Sequence, residues 1–116
     1  MEYRKVYDDF IASYIAGTTN AEEVGHTITI MAQHFCDANM AVGAADKGYS
    51  TLFAENMQLE EGGKSISAAK AKIMTDASEE ANVLSSAKRN LENIEQLINA
   101  LKYLQRGMAN EYQHMN

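Results

Sequence analysis

The chain has 116 residues, no proline or tryptophan, and 46 % hydrophobic but only 8 % aromatic side chains. That is length for one domain with a modest core, and too few β-branched and aromatic residues to fill many strands, so an all-α fold is expected. A formal net charge of -6 argues against broad binding to nucleic acid or to an anionic membrane, because both need Lys and Arg to neutralise phosphates.

The charge is nevertheless segregated. Residues 1–63 carry ten acidic and three basic side chains, a net of -7, and residues 64–116 carry six and seven, a net of +1, which leaves room for a local basic strip. Cys36 is the single cysteine, so no intramolecular disulfide forms and a reducing cytoplasm is the natural setting. No run approaches the roughly 18 apolar residues of a membrane span, and the N-terminus lacks a basic-then-apolar secretion pattern. A cytoplasmic protein without membrane association is the expectation.

In chain order, Tyr3, Val6, Tyr7, Phe10, Ile11, Tyr14 and Ile15 form an apolar stripe on a short helix over 2–16, ended by Gly17 as a left-handed cap. Three of these are tyrosines that resemble a base-stacking platform, but aromatics at helical spacing more often pack in a core. A second helix, over 20–61, starts from a capping box of Thr19 with Glu22 or Asn20 with Glu23. Its heptad runs through Val24, Ile28, Met31, Phe35, Ala38, Val42, Ala45, Tyr49, Leu52, Asn56 and Leu59, which spans about 54 Å at about 1.5 Å per residue. Gly43 and Gly48 lie inside that rod at a cost of about 1 kcal/mol each. Either another helix approaches closely there or the rod bends or breaks between 43 and 48.

Glu60-Glu61-Gly62-Gly63-Lys64 is the clearest turn, placed at 62–64, with Ser65 or Ser67 as the next N-cap. A third helix, over 66–114, carries the seam Ile66, Ile73, Ala77, Leu84, Ala87, Leu91, Ile94, Ile98, Leu101, Met108 and Tyr112. The two long helices then close as an antiparallel, coiled-coil-like hairpin that sets Leu101 near Val24. Val83, Leu97, Leu104, Phe53, Met57 and Ile30 widen the apolar face beyond what two helices bury. Helix one covers part of it, and association into a helical bundle is expected to cover the rest, a symmetric dimer first, with Tyr7, Phe10, Tyr14, Leu97 and Leu104 at the interface.

Chemical motifs are weak. Glu23 with His26 and Glu111 with His114 have the Glu-x-x-His spacing of carboxylate-bridged di-iron bundles, but His26 lies opposite the seam and the hairpin does not bring the two pairs together, so no metal is expected. His34-Phe35-Cys36-Asp37 lacks any oxyanion-hole signature, and a lone helical cysteine is usually a small buried hydrophobe. Gly62-Gly63-Lys64-Ser65 lacks the glycine four residues earlier, since position 58 is Gln58, and lacks the preceding strand of a phosphate loop. No catalytic residue and no cofactor follow, and the chain is read as a non-enzyme. Lys70, Lys72, Lys88, Arg89, Lys102 and Arg106 are the candidate partner contacts, interleaved with Glu92 and Glu95 as on a solvated charged face. Lys70, close to the turn, is expected to pair with Glu55 or Asn56.

The segments Gly63-Lys64-Ser65-Ile66-Ser67-Ala68-Ala69-Lys70-Ala71-Lys72, Asn93-Ile94-Glu95-Gln96-Leu97-Ile98-Asn99-Ala100-Leu101-Lys102 and Gly107-Met108-Ala109-Asn110-Glu111-Tyr112 resemble small helical proteins of tailed bacteriophages and prophages, including crAss-like phages of gut Bacteroidetes. The resemblance covers mainly residues 63–112. It implies a phage-encoded protein of the host cytoplasm without assigned enzymatic activity, found beside replication and recombination genes; the leading expectation is a non-enzymatic accessory protein that binds a phage or host protein partner through a rigid helical surface. Two other classes stay open: an inhibitor of host defence whose acidic second helix imitates nucleic acid, and a virion or assembly protein. Direct contact with single-stranded nucleic acid ranks below these.

Overall fold

The computed structural model describes residues 2–115, with side chains through Glu111. The fold is all-α apart from one small β-ladder: a short N-terminal helix followed by a long antiparallel helical hairpin. Helix α1 spans Glu2–Ile15, α2 Ala21–Asn56, strands β1 and β2 Glu60–Glu61 and Lys64–Ser65, α3 Ala68–Asp76 and α4 Glu79–Met115. The single domain expected from length packs as two compact units, Met1–Asp37 with Glu92–Asn116, and Ala38–Leu91.

The helix ends follow from local chemistry. Thr18 and Gly17 close α1, with Gly17 at φ 75 and the Thr18 amide donating to Ser13 O at 3.1 Å. Asn20 caps α2, its Oδ1 accepting from the Glu23 amide at 2.9 Å, so the Asn20 alternative is the one used. The turn is a two-residue β-hairpin. Glu61 faces Lys64, and Gly62 and Gly63 both take positive φ, 61 and 82, as a tight primed turn demands of its two central residues. Ser67 caps α3, accepting from the Lys70 amide at 3.1 Å.

Three boundaries correct the sequence reading. The second helix ends at Asn56 rather than 61, because the chain turns into the β-hairpin, whose base is closed by the Ile66 amide donating to Leu59 O at 3.1 Å. It runs unbroken through Gly43 and Gly48, and a Cβ at either position would meet nothing within 4 Å, so neither a break nor a close neighbour explains them. The third helix is two helices. Ser78 ends the first by donating to Thr75 O and starts the second by accepting the Ala81 amide at 3.2 Å. That joint resets the helical phase, so the expected seam residues Ile73 and Ala77 are exposed, and α3 buries Ala71 and Thr75 instead.

In the unit made of α1, the first half of α2 and the last half of α4, the core is apolar: Tyr3, Phe10, Val24, Met31, Ile94 and Leu101, with Thr27 satisfied by Glu23 O at 2.9 Å. Helices α2 and α4 are antiparallel there. Gly25 lies beside Gln105, about one turn further along than the expected Val24 to Leu101 pairing. In the other unit only Ala38, Ala71 and Leu84 are buried hydrophobics, and the largest side chain shut off completely from solvent is Thr75.

Since Gly43 is exposed, mid-helix and free of neighbours, Gly43→Ala removes backbone entropy from the unfolded chain at no steric cost. The variant is expected to gain about 0.5–1 kcal/mol in urea-induced unfolding followed by circular dichroism.

Candidate functional site

The densest set of polar contacts lies where α3 meets the end of α2, within residues 38–91. Thr75, fully enclosed, donates from Oγ1 to Ala71 O at 2.7 Å and accepts from Asn56 Nδ2 at 3.0 Å, so a buried hydroxyl is satisfied on both sides. One turn outward, Tyr49 donates its phenol to Asp76 Oδ1 at 2.6 Å while Lys72 Nζ lies 3.1 Å from Asp76 Oδ2. Both carboxylate oxygens are thereby occupied. Lys70 pairs with Glu61 on the hairpin, which ties the start of α3 to β1.

Electrostatics follow the geometry. The Tyr49 hydrogen bond, with Lys72 behind it, holds Asp76 below the usual carboxylate range. The same hydrogen bond pushes the Tyr49 phenol up, and the Asp76 carboxylate raises Lys72. Lys70 lowers Glu61, first by hydrogen bonding and then by charge. Every shift moves a group away from neutral pH. An acid or base for catalysis needs the reverse; what the contacts of Asn56, Tyr49 and Glu61 do is join α3 to α2 and β1, as a brace.

The same unit also exposes large apolar side chains. Ile73 is 70 % exposed, and Met57, Leu59, Met74 and Val83 in the same unit are also open to solvent, together with Met40 further back on α2. Asp46, Tyr49, Asp76, Leu84 and Lys88 line a shallow cavity of about 380 Å³ beside the brace.

The six basic residues singled out in the sequence are not one strip. Lys70 and Lys72 are committed to Glu61 and Asp76, which replaces the expected pairing of Lys70 with Glu55 or Asn56. Lys88 lines the cavity just described, Arg89 is exposed on α4, and Lys102 and Arg106 are exposed in the other unit. Of the expected oligomer contacts, Phe10 is buried within the chain and Tyr7, Leu97 and Leu104 are half-buried; Tyr14 borders the same cavity as Leu104 and Met108. Within the row Phe10 is enclosed by its own chain, whereas Tyr14 is exposed. Cys36 is exposed rather than buried, and His26 is exposed beside Glu23. The Glu111 and His114 pair falls on a side chain outside the described residues.

Sequence reasoning missed Thr75, Asp76 and Ser78. The available signal was Thr75-Asp76-Ala77-Ser78-Glu79-Glu80, a serine followed by two acids, which is a helix start inside an otherwise continuous heptad. Among the described residues no helix is long and apolar enough to cross a membrane, and no group of three or more His, Cys, Asp or Glu is placed to hold a metal ion. No family model matches the chain, and neither a curated protein nor a solved structure shows significant similarity to it.

Linkage fixes the pH window of the brace. The Asp76 contribution is present above the ordinary aspartate range and is lost as pH falls through its depressed folded value; the Tyr49 contribution is present below the ordinary tyrosine range and is lost as pH rises through its raised one. Asp76→Ala, which removes both the acceptor and the charge, is expected to return the Tyr49 ring to an ordinary titration, read by NMR of labelled tyrosine. An unchanged Tyr49 titration in that variant would remove the brace from the account.

Proposed function

We propose that the protein is a non-enzymatic binding protein, phage-encoded and acting in the host cytoplasm, that presents the surface around α3 to a protein partner in genome replication or recombination. The observation that carries this reading is Ile73: a large aliphatic side chain, 70 % exposed at the centre of a braced nine-residue helix, with Met74 beside it. A rigid helix bearing an exposed apolar anchor with a charged rim matches the core-and-rim organisation of protein interfaces. Lys70 and Lys72 are neutralised by Glu61 and Asp76, which favours protein over phosphate as the ligand, since binding phosphate requires uncompensated cations. The phage setting and the replication or recombination context come from the sequence resemblance over residues 63–112.

Imitation of nucleic acid by α2 is less favoured. Its carboxylates are Glu22, Glu23, Asp37, Asp46 and Glu55, with gaps of nine to fourteen residues after the first pair. At about 1.5 Å per residue those gaps are about 14–21 Å, whereas duplex DNA carries one charge per about 1.7 Å of axis. A virion or assembly role is separated by mass spectrometry of purified particles.

The test is affinity capture from infected or lysogenic cells with the native chain and with Ile73→Asp. A phage recombinase or single-strand-binding protein that is captured by the native chain, and bound about tenfold or more weakly by the variant, supports the reading. Capture of a host nuclease would support the defence-inhibitor class instead. A partner retained equally by Ile73→Asp would move the contact away from α3.

A further inference from the structure

Within the unit Met1–Asp37 with Glu92–Asn116, a groove of about 310 Å³ runs between α2 and α4. Ile28, Phe35 and Ile98 in its walls are only half-buried, and at its middle α2 presents Ala32, a side chain small enough to admit the backbone of another helix. Glu95 and Lys102 flank Ile98 on α4. They are one heptad apart, about 10.5 Å along the helix, too far to pair with each other. Among the described residues neither takes part in an ion pair.

We propose that this groove is a self-association surface, occupied by α4 of a second copy lying antiparallel across a two-fold axis between Ile98 and Asn99. The argument is charge complementarity under that operator. In an isologous contact every pairing occurs twice, so Glu95 meets the partner's Lys102 and Lys102 meets the partner's Glu95. The flanking positions carry no conflict: Glu92 comes opposite the partner's Gln105, and Leu91 opposite the aliphatic stem of the partner's Arg106. A parallel alignment would instead set Glu95 against the partner's Glu95 and Lys102 against the partner's Lys102, two like-charge contacts. The unpaired charges of one chain are thus each other's complement in only one orientation of two copies, and the half-buried apolar residues between them supply the area. This interface is formed by residues other than those of the expected Tyr7, Phe10, Tyr14, Leu97 and Leu104 row. It also stands apart from the α3 reading, because it needs no other protein.

Sedimentation velocity across a concentration series tests it on the full chain. The native protein is expected to show a monomer–dimer equilibrium, weakened by salt. Glu95→Lys and Lys102→Glu should each raise the dimer dissociation constant about tenfold or more, with helicity by circular dichroism unchanged because both sites are exposed. An equimolar mixture of the two variants should associate again as a heterodimer, since the reversed charges then face one another and the native pair survives on the other side. The double variant E95K/K102E should dimerise with itself. A native chain that stays monomeric at every concentration overturns the proposal, as does a mixture no tighter than the single variants, or association that neither reversal weakens. None of these results bears on capture through Ile73, so the two readings fail separately.

Discussion

The enclosed hydroxyl of Thr75 sets the character of residues 38–91. A helix of nine residues with a weak apolar face does not hold itself in water, and α3 buries only Ala71 and Thr75. Its position is therefore set by polar contacts to its neighbours: Asn56 on Thr75 and Tyr49 on Asp76 at the C-terminal end, and Lys70 on Glu61 nearer the start. A buried hydroxyl without partners would be costly, and here both partners come from the helices that must meet. Asn90 Oδ1, buried without a partner among the described residues, is a further polar group in the same unit.

The other unit depends on ordinary burial. Val24, Met31, Ile94 and Leu101 are almost fully enclosed, and two α1 side chains, Tyr3 and Phe10, close one side. The contrast has a functional consequence. Apolar side chains that a hydrophobic core would have claimed, Ile73 above all, remain at the surface of residues 38–91, held on elements fixed by hydrogen bonds and ion pairs. Surface of that kind is available to a partner without the chain having to unfold anything.

Much of this was legible in the residues. The seam of α2 can be read from Val24 to Asn56, and every one of its heptad positions is buried or half-buried, because a 3-then-4 spacing leaves few ways to hide that stripe. The Gly62-Gly63 turn was equally plain, since two adjacent glycines suit a two-residue hairpin. The joint at Ser78 was hidden by the heptad itself: Ile73 and Ala77 continue the apolar spacing in sequence, and only a capping serine followed by Glu79 and Glu80 marks the break. That one joint decides the candidate surface, because it rotates Ile73 outward and Thr75 inward. The basic residues were visible as types, and the i,i+4 spacing of Lys72 and Asp76 was there to be read, but the pairing of Lys70 with Glu61 depends on the β-hairpin and no spacing announces it.

Helix α3 is held by a hydrogen-bonded brace, and the long helices by an apolar core. Amide hydrogen exchange measures this residue by residue. Amides around Met31 in α2 and from Ile94 to Leu101 in α4 are expected to exchange through the most stable openings, and those from Ala71 to Asp76 through a separate and markedly less stable one. Protection of α3 equal to that of the apolar core would contradict it.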